Sequence, residues 1–181
     1  MAHRRKPKDN KRKDVNVLPR NWAAIDIDGG KQQKQDAAGK VYTPKGTDSL
    51  GISPQVLEAL KEVLKPFSCF IYPTHSDTPT ARKYRVVMAL DKELGPKDWE
   101  VCARNVCLWL MEKVPELAEQ PDKLITAAID SASYTPAQIM YTVPKEKAAS
   151  LELFSGTPIS TAQFTKGSKT EKKALAKIDS T

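Results

Sequence analysis

The stretch Ala23-Ala24-Ile25-Asp26-Ile27-Asp28 is a short apolar run broken by two carboxylates one residue apart. In a β-strand successive side chains alternate between faces, so Asp26 and Asp28 project from the same face, about 7 Å apart along the backbone. Like charges raise each other's pKa, and carboxylates on a packed face need partners, so a divalent cation between them is the simplest neutraliser. Gly29-Gly30 follows at once and ends the strand in a turn. Asp-Gly is also a hairpin signal, so a turn-capping role for this pair stands beside the metal role.

Outward from this strand, Lys31 to Gly46 is polar and rich in Gly, Gln and Lys, which predicts a loop able to order around a ligand. Ser53 is a suitable N-cap and Pro54 fits the first helical position. Val56, Leu57, Leu60, Val63 and Leu64 then form one apolar stripe, a helix that Pro66 stops. Phe67 to Tyr72 and Tyr84 to Leu90 have strand composition and are joined through the polar stretch Pro73 to Pro79. A second helix is predicted from Asp98 to Lys113, with Trp99, Cys102, Val106 and Leu110 at helical spacing. Pro115 and Pro121 bracket a loop or short helical turn, Ala127 to Asp130 leads into Ser131-Ala132-Ser133-Tyr134, and Gln138 to Val143 reads as a further strand. This irregular alternation predicts an α+β fold rather than a repeating βα one.

The chain of 181 residues, 40% hydrophobic and 28% charged, has the composition of one globular domain with tails. Its formal charge is +7, and eight Lys or Arg fall in the first twenty residues against Asp9 and Asp14 alone. Residues 1–20 therefore read as a flexible basic arm that either contacts phosphates or serves as a solvated tail. Residues 21–150 read as the catalytic domain and 151–181 as a polar C-terminal segment or linker. No apolar run reaches membrane-spanning length and no signal-peptide core follows the basic start, so the expectation is a cytoplasmic protein without membrane contact. Cys69, Cys102 and Cys107 lack the spacing of a zinc site and are odd in number, and they read as small core residues. Trp99 and Trp109 read as core rather than as stacking platforms.

Asp26, Asp28, the Thr74-His75-Ser76 loop, the cations Arg82, Lys83 and Arg85, and the lone Asp130 can be assembled into one site. Carboxylates holding divalent metal beside a histidine and a basic cluster suit a nucleoside triphosphate, because metals stabilise the attacking and leaving oxygens while cations neutralise phosphates. Hard oxygen ligands select Mg2+ or Mn2+. Each part has a plainer reading as well. Asp130 can simply N-cap the Ser-Ala-Ser-Tyr turn, His75 can be a surface turn residue, and the cations can protect a strand edge.

The order Ile25-Asp26-Ile27-Asp28, Tyr72-Pro73-Thr74-His75-Ser76, Arg82-Lys83-Tyr84-Arg85-Val86-Val87 with Leu90, and Ile129-Asp130-Ser131-Ala132-Ser133 with Pro136 and Met140-Tyr141-Thr142-Val143-Pro144 resembles the archaeo-eukaryotic primase superfamily. Within it the likeness is to the primase-polymerase domains of phages and plasmids, over Trp22 to Pro144. The resemblance implies an RRM-like catalytic core with an N-terminal α/β subdomain and the active site in the cleft between them. It implies that Asp26, Asp28 and Asp130 bind two catalytic Mg2+ or Mn2+ ions, with no organic cofactor, and that His75, with Ser76, Arg82 and Arg85, contacts the incoming nucleotide. One departure is Gln138, where relatives often carry an arginine.

The expected activity is DNA-dependent nucleotidyl transfer from NTP or dNTP on a single-stranded DNA template, in phage or plasmid replication. A replicative helicase is the expected partner. Relatives often carry a helicase or a helical accessory domain, and neither is recognisable here, so the chain is expected to be an excised domain of a longer protein. The alternatives are a non-catalytic single-strand-binding module and a metal-dependent nuclease. Paired-histidine initiator nucleases fit poorly, because His75 is the only histidine outside the arm.

Overall fold

The structure is a computed structural model that describes residues 18–136 and 145–165. Most of the basic arm, the expected strand from Gln138 to Val143 and the end of the C-terminal segment lie outside the described residues. The elements in order are β1 (Arg20–Ile27), β2 (Lys34–Gln35), β3 (Val41–Tyr42), α1 (Pro54–Leu64), β4 (Ser68–Pro73), β5 (Tyr84–Leu94), α2 (Pro96–Lys113), β6 (Glu152–Ser155) and α3 (Thr161–Phe164). The class is α+β, with a four-stranded antiparallel sheet in the order β1-β5-β4-β6. Among the described residues the only other sheet is the β2–β3 hairpin.

Alternation along the strands sorts the sheet into two faces. Ala23, Ile25 and Ile27 of β1, Val86 and Met88 of β5, and Cys69 and Ile71 of β4 share one face and are buried. They join Leu60 and Leu64 of α1 and Trp99, Cys102, Val106 and Leu110 of α2 in one core. In α1 the Ser53 hydroxyl accepts from the Val56 N–H at 3.3 Å and Pro54 opens the first turn, as the sequence predicts. Helix α2 begins earlier than expected, at Pro96, with Asp98 in its first turn beside the positive end of the helix dipole. The buried Trp99 indole donates to the Trp22 carbonyl at 2.7 Å, which satisfies its N–H. Cys69, Cys102 and Cys107 are buried free thiols, as expected.

Two stretches differ from the expectation. Lys31 to Gly46 is not one loop but carries the β2–β3 hairpin, closed by Asp36, whose Oδ1 accepts from the Ala38 and Lys40 N–H groups at 2.9 Å each. A side chain that bonds its own turn pins a polar segment without needing apolar cover. Residues 151–165, expected as a polar segment or linker, supply β6 on the outer edge of β4 and place Ile159 and Phe164 in the core. The Thr161 hydroxyl donates to Asp91 Oδ1 at 2.7 Å and so ties α3 to the end of β5. No helix among the described residues is long and apolar enough to cross a membrane.

Gly29, which ends β1, has φ +66° and sits so close to Gly51 that a Cβ would lie 1.9 Å from the Gly51 carbonyl oxygen. Gly39, at the hairpin tip, has φ +82°, and its Cβ would meet only the Gln35 amide at 3.6 Å. Gly39→Ala should therefore cost about 1 kcal/mol from the left-handed backbone alone, whereas Gly29→Ala adds a backbone clash and should cost more than about 3 kcal/mol. Urea denaturation of the two variants checks the difference, and equal midpoints would refute the close approach.

Candidate functional site

Asp26 faces Arg85 across the β1–β5 pair. The Asp26 N–H donates to Ser133 Oγ at 2.8 Å and its carbonyl accepts from the Asp130 N–H at 3.0 Å, so both backbone groups point away from β5. The pair is therefore a non-hydrogen-bonded one, in which opposed side chains approach most closely. Arg85 closes on the carboxylate with both arms, Nη2 donating to Oδ2 at 2.8 Å and Nε to Oδ1. Burial alone would lower the Arg85 pKa. The bond and charge of Asp26, with the Tyr72 hydroxyl, overcome this and leave it raised. Tyr72 opposes Arg85 from β4, so Asp26, Arg85 and Tyr72 form a row across three strands.

The far side of β1 receives a segment from much later in the chain. Ile27 bridges Ile129 antiparallel, and the Asp28 N–H donates to the Ala128 carbonyl at 2.9 Å. Asp130 thereby arrives beside the β1 carboxylates while its Oδ1 accepts from the Ala132 N–H at 2.9 Å, capping the 3-10 helix Ser131–Tyr134. The capping role and the place beside the other aspartates are both realised. Asp28 and Asp130 line a cleft of about 510 Å3 between the 28–33 loop, α2 and residues 126–134, with Lys31 and Arg104 at its sides and Leu108 and Met111 among its apolar walls. Such a volume suits a small-molecule site.

Burial pushes the Asp28 carboxyl up. Lys83 offsets this in part, and the charges of Asp26 and Asp130 push further up against the pull of Arg85. The oxygens of Asp28 and Asp130 are hard donors of the kind that divalent cations take, whereas Asp26 is engaged by Arg85 and does not line the cleft. Among the described residues no group of three or more His, Cys, Asp or Glu side chains is gathered closely enough to hold a metal ion. The three aspartates are thus neighbours in charge rather than a closed cage.

The remaining candidates lie at the same end of the sheet but not in one cluster. His75 and Ser76 are exposed in the turn after β4, and neither lines the cleft. Ser76 Oγ pairs with Thr74 Oγ1 at 3.3 Å. Arg82 donates from Nε to Asp77 Oδ1 at 2.8 Å, so it does not act as a pair with Arg85. Tyr72 and Ser133, which the sequence offers only as members of longer motifs, contact Arg85 and Asp26, and Lys147 reaches the His75 turn. Only the strand registers and a long-range bond reveal them.

Comparison of the chain with protein-family models, with curated proteins and with solved structures finds no match.

The raised Asp28 pKa fixes a pH dependence. The folded chain holds this proton more tightly than the unfolded chain, so the group's contribution to stability is complete below the ordinary carboxylate range and is lost as pH rises through the raised value. Asp28→Asn should melt at a higher temperature than the wild type at neutral pH, with the difference vanishing in acid. Added Mg2+ or Mn2+ should raise the wild-type midpoint and leave that of Asp28→Asn nearly unmoved. Thermal melts across pH and metal concentration check both, and a less stable Asp28→Asn at neutral pH would contradict the electrostatics.

Proposed function

We propose that this chain is a primase-polymerase domain that joins nucleotides on a single-stranded DNA template. The observation that carries the reading is the meeting of Asp26 and Asp28 with Asp130 at one end of the sheet, through the Ile27–Ile129 bridge. The chain path adds support. Strand, helix, two strands and helix give the order β1-β5-β4, with residues 128–130 against the free side of β1, which is how a βαββαβ unit of the RRM-like kind is laid out.

In this reading Asp28 and Asp130 present oxygens to the cleft, and Asp26 lies behind them, bonded to Arg85 through both carboxylate oxygens. A divalent cation, if held by Asp28 and Asp130, would supply Lewis acidity for the primer 3′-hydroxyl and the departing pyrophosphate. The 3′-oxygen would bond to the α-phosphorus, its proton passing to water, as the bond from the α-phosphorus to the bridging oxygen breaks and pyrophosphate leaves. His75 and Lys83 stand at the same strand ends, outside the cleft lining, where they would meet a triphosphate extending from it. The hold of Arg85 on both Asp26 oxygens favours a catalytically silent strand-binding module as the second reading.

A primed single-stranded template with labelled NTP or dNTP and Mg2+ or Mn2+ separates the two. The wild type should extend the primer, and Asp28→Asn and Asp130→Asn should lose at least about a hundredfold in rate while still binding DNA. Asp28→Asn is predicted to be more stable than the wild type, so its inactivity could not be ascribed to unfolding. Absence of extension by the wild type, with salt-sensitive and metal-independent binding, would support the strand-binding module instead.

A further inference from the structure

The turn that carries His75 is held from a distant part of the chain. Lys147, on the 3-10 helix Lys145–Ser150, donates from Nζ to the carbonyls of Thr74 at 2.6 Å, His75 at 3.3 Å and Asp77 at 2.8 Å. An ammonium has three donors, and here each has a carbonyl. The same Nζ lies 3.8 Å from Asp77 Oδ2, and the two side chains are only 20% and 9% exposed. A surface lysine ordinarily keeps its head in water, and this one does not.

The carbonyls concerned are significant by position. That of Thr74 belongs to the peptide entering His75 and that of His75 to the peptide leaving it. Each peptide is a rigid plane, so bonding both carbonyls restrains φ and ψ at His75 and with them the direction of its Cα–Cβ bond. Asp77 closes the other half of the turn. Its N–H donates to the Thr74 carbonyl at 3.1 Å, and its Oδ1 accepts from the Lys83 N–H and from Arg82 Nε at 2.8 Å each.

We propose that Lys147 is a positioning residue that presets His75 for the triphosphate of the incoming nucleotide, with Asp77 as its anchor. The proposal rests on the primase-polymerase reading for the identity of the ligand. An exposed turn left free would lose backbone freedom on binding, and a turn already held loses little.

The test uses the full chain, a fluorescent N-methylanthraniloyl-ATP with Mg2+, and hydrogen exchange. Lys147→Met, which keeps the stem and removes the donors, should weaken nucleotide binding about tenfold, the loss expected from freeing about one residue. Lys147→Arg, which retains charge and donors, should recover most of it. His75→Ala should weaken binding too, and His75→Ala/Lys147→Met should be no weaker than His75→Ala alone. Additive losses, or unchanged affinity in Lys147→Met, overturn the proposal. In Lys147→Met the Asp77 amide should exchange faster while that of Val86 in β5 does not. Unchanged exchange at Asp77 with normal nucleotide binding overturns the role of Lys147 alone, whereas failure of the wild type to bind the nucleotide overturns that role together with the functional reading.

Discussion

Ile27 meets Ile129 across a single antiparallel bridge, and the backbone bonds on either side of it join a strand near the start of the chain to a segment far along it. The outer edge of β1 is thereby occupied at its end. Because the amide and carbonyl of Asp26 turn toward that segment, its side chain opposes Arg85 in the closer of the two antiparallel pairings. The same contact brings Asp130 beside Asp28 and forms one wall of the cleft. Without it, the Asp26–Asp28 pair would be a charged strand end facing solvent.

Two carboxylates two residues apart on one strand meet opposite surroundings. Asp26 is closed in by a guanidinium whose planar fork matches a carboxylate at two points, a geometry that lysine cannot supply. Asp28 has only the more diffuse attraction of Lys83 and, more weakly, Arg85 against burial and two like charges. One carboxylate is thus satisfied within the protein and the other is left receptive. A carboxyl raised by burial and like charges at the wall of a cleft is a common signature of sites that bind or transform charged ligands.

Much of the fold was legible because local rules govern it. Ser53-Pro54 announces α1, the apolar spacing announces α2, and the β-rich composition of residues 67–72 and 84–90 announces the central strands. Composition misled at Lys31–Gly46 and at 151–165. In the first the hairpin depends on a side chain bonding its own turn, and in the second β6 depends on the edge of β4 being open to it. Of the candidate site, strand alternation gives the expectation of a shared face for Asp26 and Asp28, but β1 ends at Ile27, and Asp28 lines the cleft while Asp26 faces Arg85. Their meeting with Asp130 follows from tertiary pairing that no local pattern encodes, and the capture of Arg82 by Asp77 follows from the path of the loop between β4 and β5. Lys147 stands in a segment whose polarity gives no hint that its head group would be drawn inward.

The three free thiols described in the core carry a chemical consequence. Burial raises Cys69 and Cys102 to about 11 and Cys107 to about 12, so at neutral pH almost none of this sulfur is in the nucleophilic thiolate form. Alkylating reagents, disulfide exchange and mild oxidants all act through that form, and none of the three thiols offers it at the surface. The folded chain is therefore chemically silent toward sulfur-directed reagents at these positions, and a single cysteine introduced on the hairpin or beside the cleft would be its one reactive handle among the described residues.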